Sequence, residues 1–187
     1  YGASKQVIFR QDLKPGRQSQ SDWTHMGELN ITIGGYAFPH LLFHFMLPYS
    51  QFETIMICET ESFATLIKGF EQGVLELGGV AYEHRTDNLT AATQKMGNDR
   101  IFTQRWREFL EHYQVQPSRN NPGVSHENGS IEKSHHTFKN AVDQHLMLRQ
   151  SRDFKTQEDY QVFLDKIKTR RNFMRRDRII EEVETLR

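Results

Sequence analysis

Along the chain the apolar positions change period several times, and each change predicts a change of element. From about Ser19 to Ile33 the residues Trp23, Met26, Leu29, Ile31 and Ile33 come to fall on alternate positions, the period of a strand. The runs "HLLFHFMLPYS" and "FETIMICET" are short, apolar and rich in aromatic and β-branched residues, and Pro48, Tyr49 and Ser50 part them, which predicts a hairpin of buried strands. Three antiparallel strands thus open the domain. Then Phe63, Leu66, Ile67, Phe70, Val74, Leu75 and Leu77 recur at three and four, with Ser62 as N-cap and Gly78-Gly79 as a stop. That is an amphipathic helix.

"VAYEHRTDN" predicts a short fourth strand ending at Asp87, followed by a polar connection containing Gly97-Asn98-Asp99. Phe102, Trp106, Phe109, Leu110 and Tyr113 are again helical in spacing, "VQPSR" is a brief fifth strand, and an Asn-Pro-Gly loop leads into a long helix from about Asn128 to Leu148. The last stretch, from Thr156 onward, is charged and helical in period. There are no internal repeats. Residues 1–17 read as an N-terminal arm, 18–150 as the core domain and 151–187 as a charged helical extension or linker.

Composition narrows the class. The chain has 187 residues, enough for one domain with a real core, and 24 basic residues balance 24 acidic ones, so no global field announces a nucleic-acid partner. A local imbalance survives near the end, where seven cations (Lys166, Lys168, Arg170, Arg171, Arg175, Arg176 and Arg178) stand against Asp165 and Asp177. This stripe is either a phosphate-contacting surface or an exposed helix paired with the acids of "EEVE". The single cysteine, Cys58, lies in the apolar run "TIMIC"; it excludes an internal disulfide and most structural zinc schemes. No apolar run approaches the roughly 18–20 residues of a membrane helix. The expectation is a soluble protein of a reducing compartment, with no membrane partner. Tyr1 opens on no initiator Met and Arg187 closes a charged stretch, which suggests an excised domain.

Three strands, helix, strand, helix, strand, helix is the order of an RNase H-like α/β domain: a five-stranded mixed sheet, three strands antiparallel and two parallel, flanked by helices, with a C-terminal helical extension. In that topology the first and fourth strands are neighbours and the helix after the fifth packs on their face. Asp22 in the first strand, Asp87 at the end of the fourth and Glu132 in the first turn of the long helix would then converge. Taken singly, each has an ordinary explanation: a strand-end acid, a turn dipeptide with Asn88, and an acid favoured by the helix dipole. Three converging carboxylates repel one another unless divalent metal lies between them. Two such ions, about 3.5 to 4 Å apart, activate an attacking oxygen and stabilise a leaving one at a phosphodiester. There is no Ser, His or Cys triad and no phosphate-cradling Gly loop.

The blocks "GRQSQSDWTHMGELNITIGG", "LPYSQFETIMICETES", "FEQGVLELGGVAYEHRTDNLTAA" and "NNPGVSHENGSIEKSHHTFK" resemble the transposase of the bacterial IstA/IstB insertion-sequence family, a branch of the DDE transposases and retroviral-type integrases. The resemblance runs from about Gly16 to Phe154. It implies that Asp22, Asp87 and Glu132 are the catalytic triad, binding two Mg²⁺ for which Mn²⁺ can substitute. The implied function is cutting transposon ends and joining their 3′-hydroxyls to target DNA. Implied partners are transposon-end DNA, target DNA, further copies of the full-length protein as a homo-oligomer, and an AAA+ ATPase helper. The chain departs from the pattern around the third motif, where Asn128, Ser130, His135 and His136 stand in place of Lys or Arg. The helix-turn-helix region expected before this domain and the small β-barrel expected after it lie outside these residues.

Several assignments stay open on the residues alone. Glu127 in "SHENG" rivals Glu132 as the third acid. His135, His136 and Lys139 follow Glu132 by three, four and seven residues, so they form either a solvated face or a row of donors to DNA. His126 either approaches a scissile phosphate or satisfies backbone groups, and its pairing with His135 as zinc ligands lacks further ligands. Competing functions are a noncatalytic DNA-binding or assembly module on the same fold, and an RNase H-like nuclease that cleaves without joining.

Overall fold

The computed structural model describes residues 13–86, 91–96, 99–119 and 129–187. Its main sheet is built from β1 (Gln18–His25), β2 (Leu41–Met46), β3 (Glu53–Cys58), β4 (Glu83–Thr86) and β5 (Gln116–Arg119), in the spatial order β3-β2-β1-β4-β5. β1, β2 and β3 pair antiparallel, and β4 and β5 add parallel strands on the other side of β1. The helices are α1 (Phe63–Leu77), α2 (Gln104–His112), α3 (Gly129–Arg149), α4 (Gln157–Phe173) and α5 (Arg176–Val183). Among the described residues, no helix is long and apolar enough to cross a membrane.

α1 starts and stops where the sequence predicts. The Ser62 hydroxyl accepts from the Thr65 amide in a capping box, and Gly78 ends the helix in the left-handed region at φ 81°. The first strand is shorter than its alternating pattern. It ends at His25, a 3₁₀ turn follows at Gly27–Leu29, and Asn30 adopts φ 49°. Ile33 then belongs to a small separate hairpin, 32–33 against 36–37, which 153–154 extends by a third strand. The polar connection after β4 also contains a two-stranded ribbon, 93–96 with 99–102.

Each sheet face carries its own core. On one side Trp23, Phe43 and Phe45 meet Leu66 and Phe70 of α1 and Trp106 and Leu110 of α2. Gly69 and Gly73 let α1 approach closely: a Cβ there would lie 2.1 Å from Phe43 Cδ1 and 2.6 Å from Phe45 Cδ1. On the other side Leu42, Ile55 and Ile57 meet Phe138, Val142 and Leu146 of α3 and Tyr160, Leu164 and Ile167 of α4. The segment from 151 onward therefore supplies core residues. Its last part clasps one end of the sheet, since buried Glu182 of α5 accepts from the amides of Gly16 and Ser50, both at 3.0 Å. Val80 and Arg187 exchange backbone hydrogen bonds of 2.9 and 3.1 Å.

β1 and β4 are joined by more than backbone. His84 of β4 is fully buried between Phe45, Phe70 and Trp106, and its two ring nitrogens each lie 2.8 Å from a serine hydroxyl of β1, Nδ1 from Ser19 and Nε2 from Ser21. Burial lowers the ring from its ordinary 6.5 to about 3, so it is neutral in the folded protein. The unfolded chain binds this proton below pH 6.5 and the folded chain only near pH 3, so stability falls as pH drops through that window. Between pH 7 and 5 this one group should remove on the order of 2 kcal/mol. Urea unfolding of His84→Gln is expected to show a profile flatter by about that amount; profiles that run parallel to the wild type would contradict a neutral, buried ring.

Candidate active site

The alternation of β1 turns Trp23 into the core against α1 and α2, where it meets Phe43 edge-on at 5.6 Å. Asp22 therefore belongs to the opposite face, the one α3 covers. It is half-buried, its Oδ1 accepts the Trp23 amide at 2.8 Å, and its cross-strand neighbour on β2 is His44. The His44 ring lies 5.0 Å from His135 and 5.9 Å from Phe138 of α3, which places the start of that helix beside the strand carrying Asp22. On the other flank of β1, Ser21 pairs with Thr86, the last residue of β4. Asp87 follows Thr86 in sequence and lies outside the described residues, as do Glu127 and His126.

Glu132 is exposed in the first turn of α3. Two residues further the helix is anchored: the Ser134 hydroxyl donates to Glu53 Oε2 at 3.0 Å and lies 3.5 Å from His44 Nε2. Of the expected DNA-contacting row, His136 is exposed and accepts from Asn140 Nδ2 at 3.0 Å, while Lys139 Nζ meets Glu28 Oε1 of the 3₁₀ turn at 2.8 Å. His135 faces inward instead. It is buried against His44, with its pKa lowered to about 3, first by burial and then by the neighbouring His44 and Lys139. Among the described residues no three His, Cys, Asp or Glu side chains are grouped to hold a metal ion, and only two of the three expected acids are described.

The basic stripe divides in two. Arg170 and Arg176 lie on the surface, the latter over the ring of Phe173 at 4.7 Å. Arg171 and Arg175 turn inward to Glu53, which has no exposed surface. Arg171 Nε pairs with Glu53 Oε1, Arg171 Nη2 lies 3.3 Å from Oε2, and Arg175 Nη1 lies 3.3 Å from Oε1. His44 Nε2 approaches Oε2 at 3.2 Å. Burial pushes the Glu53 carboxyl upward, but His44 and Arg171 outweigh it and hold the group down at about 2. In the sequence Glu53 reads as one more strand residue. Two signals pointed to it: an acid inside "FETIMIC" needs a partner, and Arg171 continues the buried stripe Tyr160, Leu164, Ile167 of α4.

With this geometry, the relatives take on meaning. No protein-family model matches the chain. It is 44% identical over 185 residues to an uncharacterized protein of Sinorhizobium fredii (strain NBRC 101917 / NGR234), a match covering 97% of this chain and 37% of that protein. It is 26% identical over 133 residues to the "Putative transposase for insertion sequence element IS5376" of Geobacillus stearothermophilus, covering 71% of this chain and 33% of that protein. The chain thus spans about a third of the length of the curated relatives it matches.

Among solved structures it resembles a chain of the simian T-cell lymphotropic virus intasome in complex with PP2A regulatory subunit B56 gamma, with a TM-score of 0.63 at 15% identity over 83% of this chain and 49% of that one. It also resembles the HTLV-2 integrase catalytic core domain in complex with magnesium, with a TM-score of 0.53 at 21% identity over 74% of this chain and 77% of that one. The fold is therefore RNase H-like, of the kind found in integrase catalytic cores. In sequence the chain is similar to a transposase.

The division of the stripe is open to measurement. Arg171→Met takes away a partner of a buried carboxylate and should cost about 3–5 kcal/mol in urea unfolding. Arg170→Met, one residue away on the surface, should stay within about 0.5 kcal/mol of the wild type. Equal effects would mean that the two side chains do not face opposite ways.

Proposed function

We propose that this chain is the polynucleotidyl-transferase core of a transposase of the IstA/IstB type, cutting transposon ends and joining their 3′-hydroxyls to target DNA. The observation that carries the reading is Asp22: a carboxylate on the central strand, on the α3 face, one residue past the Ser21–Thr86 pair that ends β4. Asp87 is the next residue after that pair, and Glu132 stands in the first turn of the helix beside it. Similarity to a transposase supports the same chemistry.

The donor set suits a hard divalent cation. Asp22 and Glu132 offer carboxylate oxygens, the ligands Mg²⁺ and Mn²⁺ take, and Asp87 would supply a third group. Bound there, two such ions would lower the pKa of the attacking water or hydroxyl and stabilise the leaving oxygen of a phosphodiester. The protein's own part is to hold the carboxylates in place, with Asp22 fixed on a strand paired on both sides. Lys139, His136 and the surface residues Arg170 and Arg176 would meet DNA phosphates, whereas His135, Arg171 and Arg175 support the fold behind them. Transposon-end and target DNA, further copies of the protein and an AAA+ ATPase helper complete the proposed assembly.

Two experiments decide between this reading and a noncatalytic module. In the full-length protein, Asp22→Asn, Asp87→Asn and Glu132→Gln should each abolish cleavage and joining while DNA-end binding persists, and each should weaken Mn²⁺ binding in a calorimetric titration; joining by any of the three rejects the triad. The second test uses helix direction. α3 turns about 100° per residue, so Lys139 lies within about 20° of Glu132 whereas Lys133 points well away. Lys139→Ala should reduce strand transfer far more than Lys133→Ala at the same salt, with His136→Ala between them. Equal losses from the two lysine variants would show that this face of α3 does not meet the DNA.

A further inference from the structure

We propose that Glu53 is a positioning residue for the active site: with Arg171 and Ser134 it fixes the rotation of α3 and so sets where Glu132 stands. The inference rests on the reading of Glu132 as a site carboxylate. Nothing in the known role of the acids calls for Glu53, which lies on β3, beyond β2 from Asp22.

The fold keeps a fully buried charge here although desolvating a carboxylate costs several kcal/mol and an apolar contact could fill the same space. Its bonds are what an apolar side chain could not supply. Glu53 reaches β2 through His44 at 3.2 Å, α3 through Ser134 at 3.0 Å and α4 through Arg171. Asn172 binds the Glu53 backbone at both groups, accepting from its amide at 3.1 Å and donating to its carbonyl at 2.8 Å. Arg171 then grips α3 a second time, donating to Thr137 Oγ1 at 3.1 Å and to the Thr137 carbonyl at 3.3 Å.

α3 is thus held at Ser134 and Thr137, the turn that begins two residues after Glu132. Apolar packing is non-directional and lets a helix roll by small amounts, while charge-assisted hydrogen bonds have fixed lengths and angles. Ser134 lies about 200° around the helix from Glu132. Rolling α3 to move Glu132 would break the Ser134–Glu53 bond on the opposite side. The anchoring therefore acts on the position of the acid without touching substrate or metal.

The test uses the 187-residue chain and two readouts. Hydrogen exchange in Glu53→Gln should accelerate at the amides of 131–138 by tenfold or more, about what a lost charge-assisted hydrogen bond allows, while 142–146 and β1 keep their protection. Mn²⁺ affinity should fall by about tenfold, and the double variant Glu53→Gln/Glu132→Gln should bind no more weakly than Glu132→Gln alone. Ser134→Ala, which leaves the Glu53–Arg171 pair intact, should reproduce both effects and serves if Glu53→Gln fails to fold. Uniformly faster exchange along the whole chain, or Mn²⁺ losses that simply add in the double variant, would overturn the positioning role. Mn²⁺ binding that is indifferent to Asp22→Asn and Glu132→Gln would instead reject the site itself, and the exchange pattern would still report whether α3 is anchored through Glu53.

Discussion

A polar strand in the middle of a sheet is the constraint from which the rest of this molecule follows. β1 reads Gln-Ser-Gln-Ser-Asp before it reaches Trp23, and Ser19, Gln20 and Ser21 are buried. Such groups are tolerated in an interior only when they are hydrogen-bonded. Here the serines meet His84, Gln18 Nε2 donates to Glu83 Oε1, and Gln20 Nε2 donates to Gln18 Oε1. The polar side chains thus bind β4 to β1 in one register, since a slip by one residue would turn both serines away from the histidine. An acid can then be presented from the centre of the sheet because the residues before it are already partnered.

The two faces of β1 meet different demands. Against α1 and α2 the packing is aromatic and close, and Gly69 and Gly73 remove the side chains that would hold α1 off the sheet. Against α3 and α4 the packing is apolar around α3's middle and charged near its start. This difference along one helix matters. The apolar half of α3 supplies adhesion, and the polar half gives the turn after Glu132 a definite orientation.

Much of the architecture was legible in the residues. β2 and β3 are mostly apolar, broken by His44, Glu53 and Thr54, because both faces are covered, and α1 carries both its cap and its stop in plain view. The overrun of the first strand has a local cause: Leu29, Ile31 and Ile33 keep the alternation, but a 3₁₀ turn closed by Asn30 in the left-handed region follows the strand, and periodicity alone does not register it. The ribbon at 93–102 escaped because its strands are short and largely polar. The places of Asp22 on β1 and of Glu132 in the first turn of α3 were readable from element order. The orientation of the cations was not, because charge runs do not say which residues point inward. Counting the apolar stripe of α4 onward to Arg171 would have separated it from Arg170, and the same count on α3 places His135 with Ile131, Phe138 and Val142.

The clasp made by Glu182 has a consequence for how such a domain is wired into a longer polypeptide. Gly16, at the start of the described core, and Arg187 both sit at the end of the sheet where β1 and β4 begin, because Glu182 binds the Gly16 amide, Gly16 accepts from Tyr82, and Arg187 pairs with Val80. Gly16 and Arg187 are thus neighbours at one end of the sheet. Asp22 lies further along β1, toward the opposite end of the strand. A segment joined at this end of the sheet would attach on the side of the domain away from Asp22.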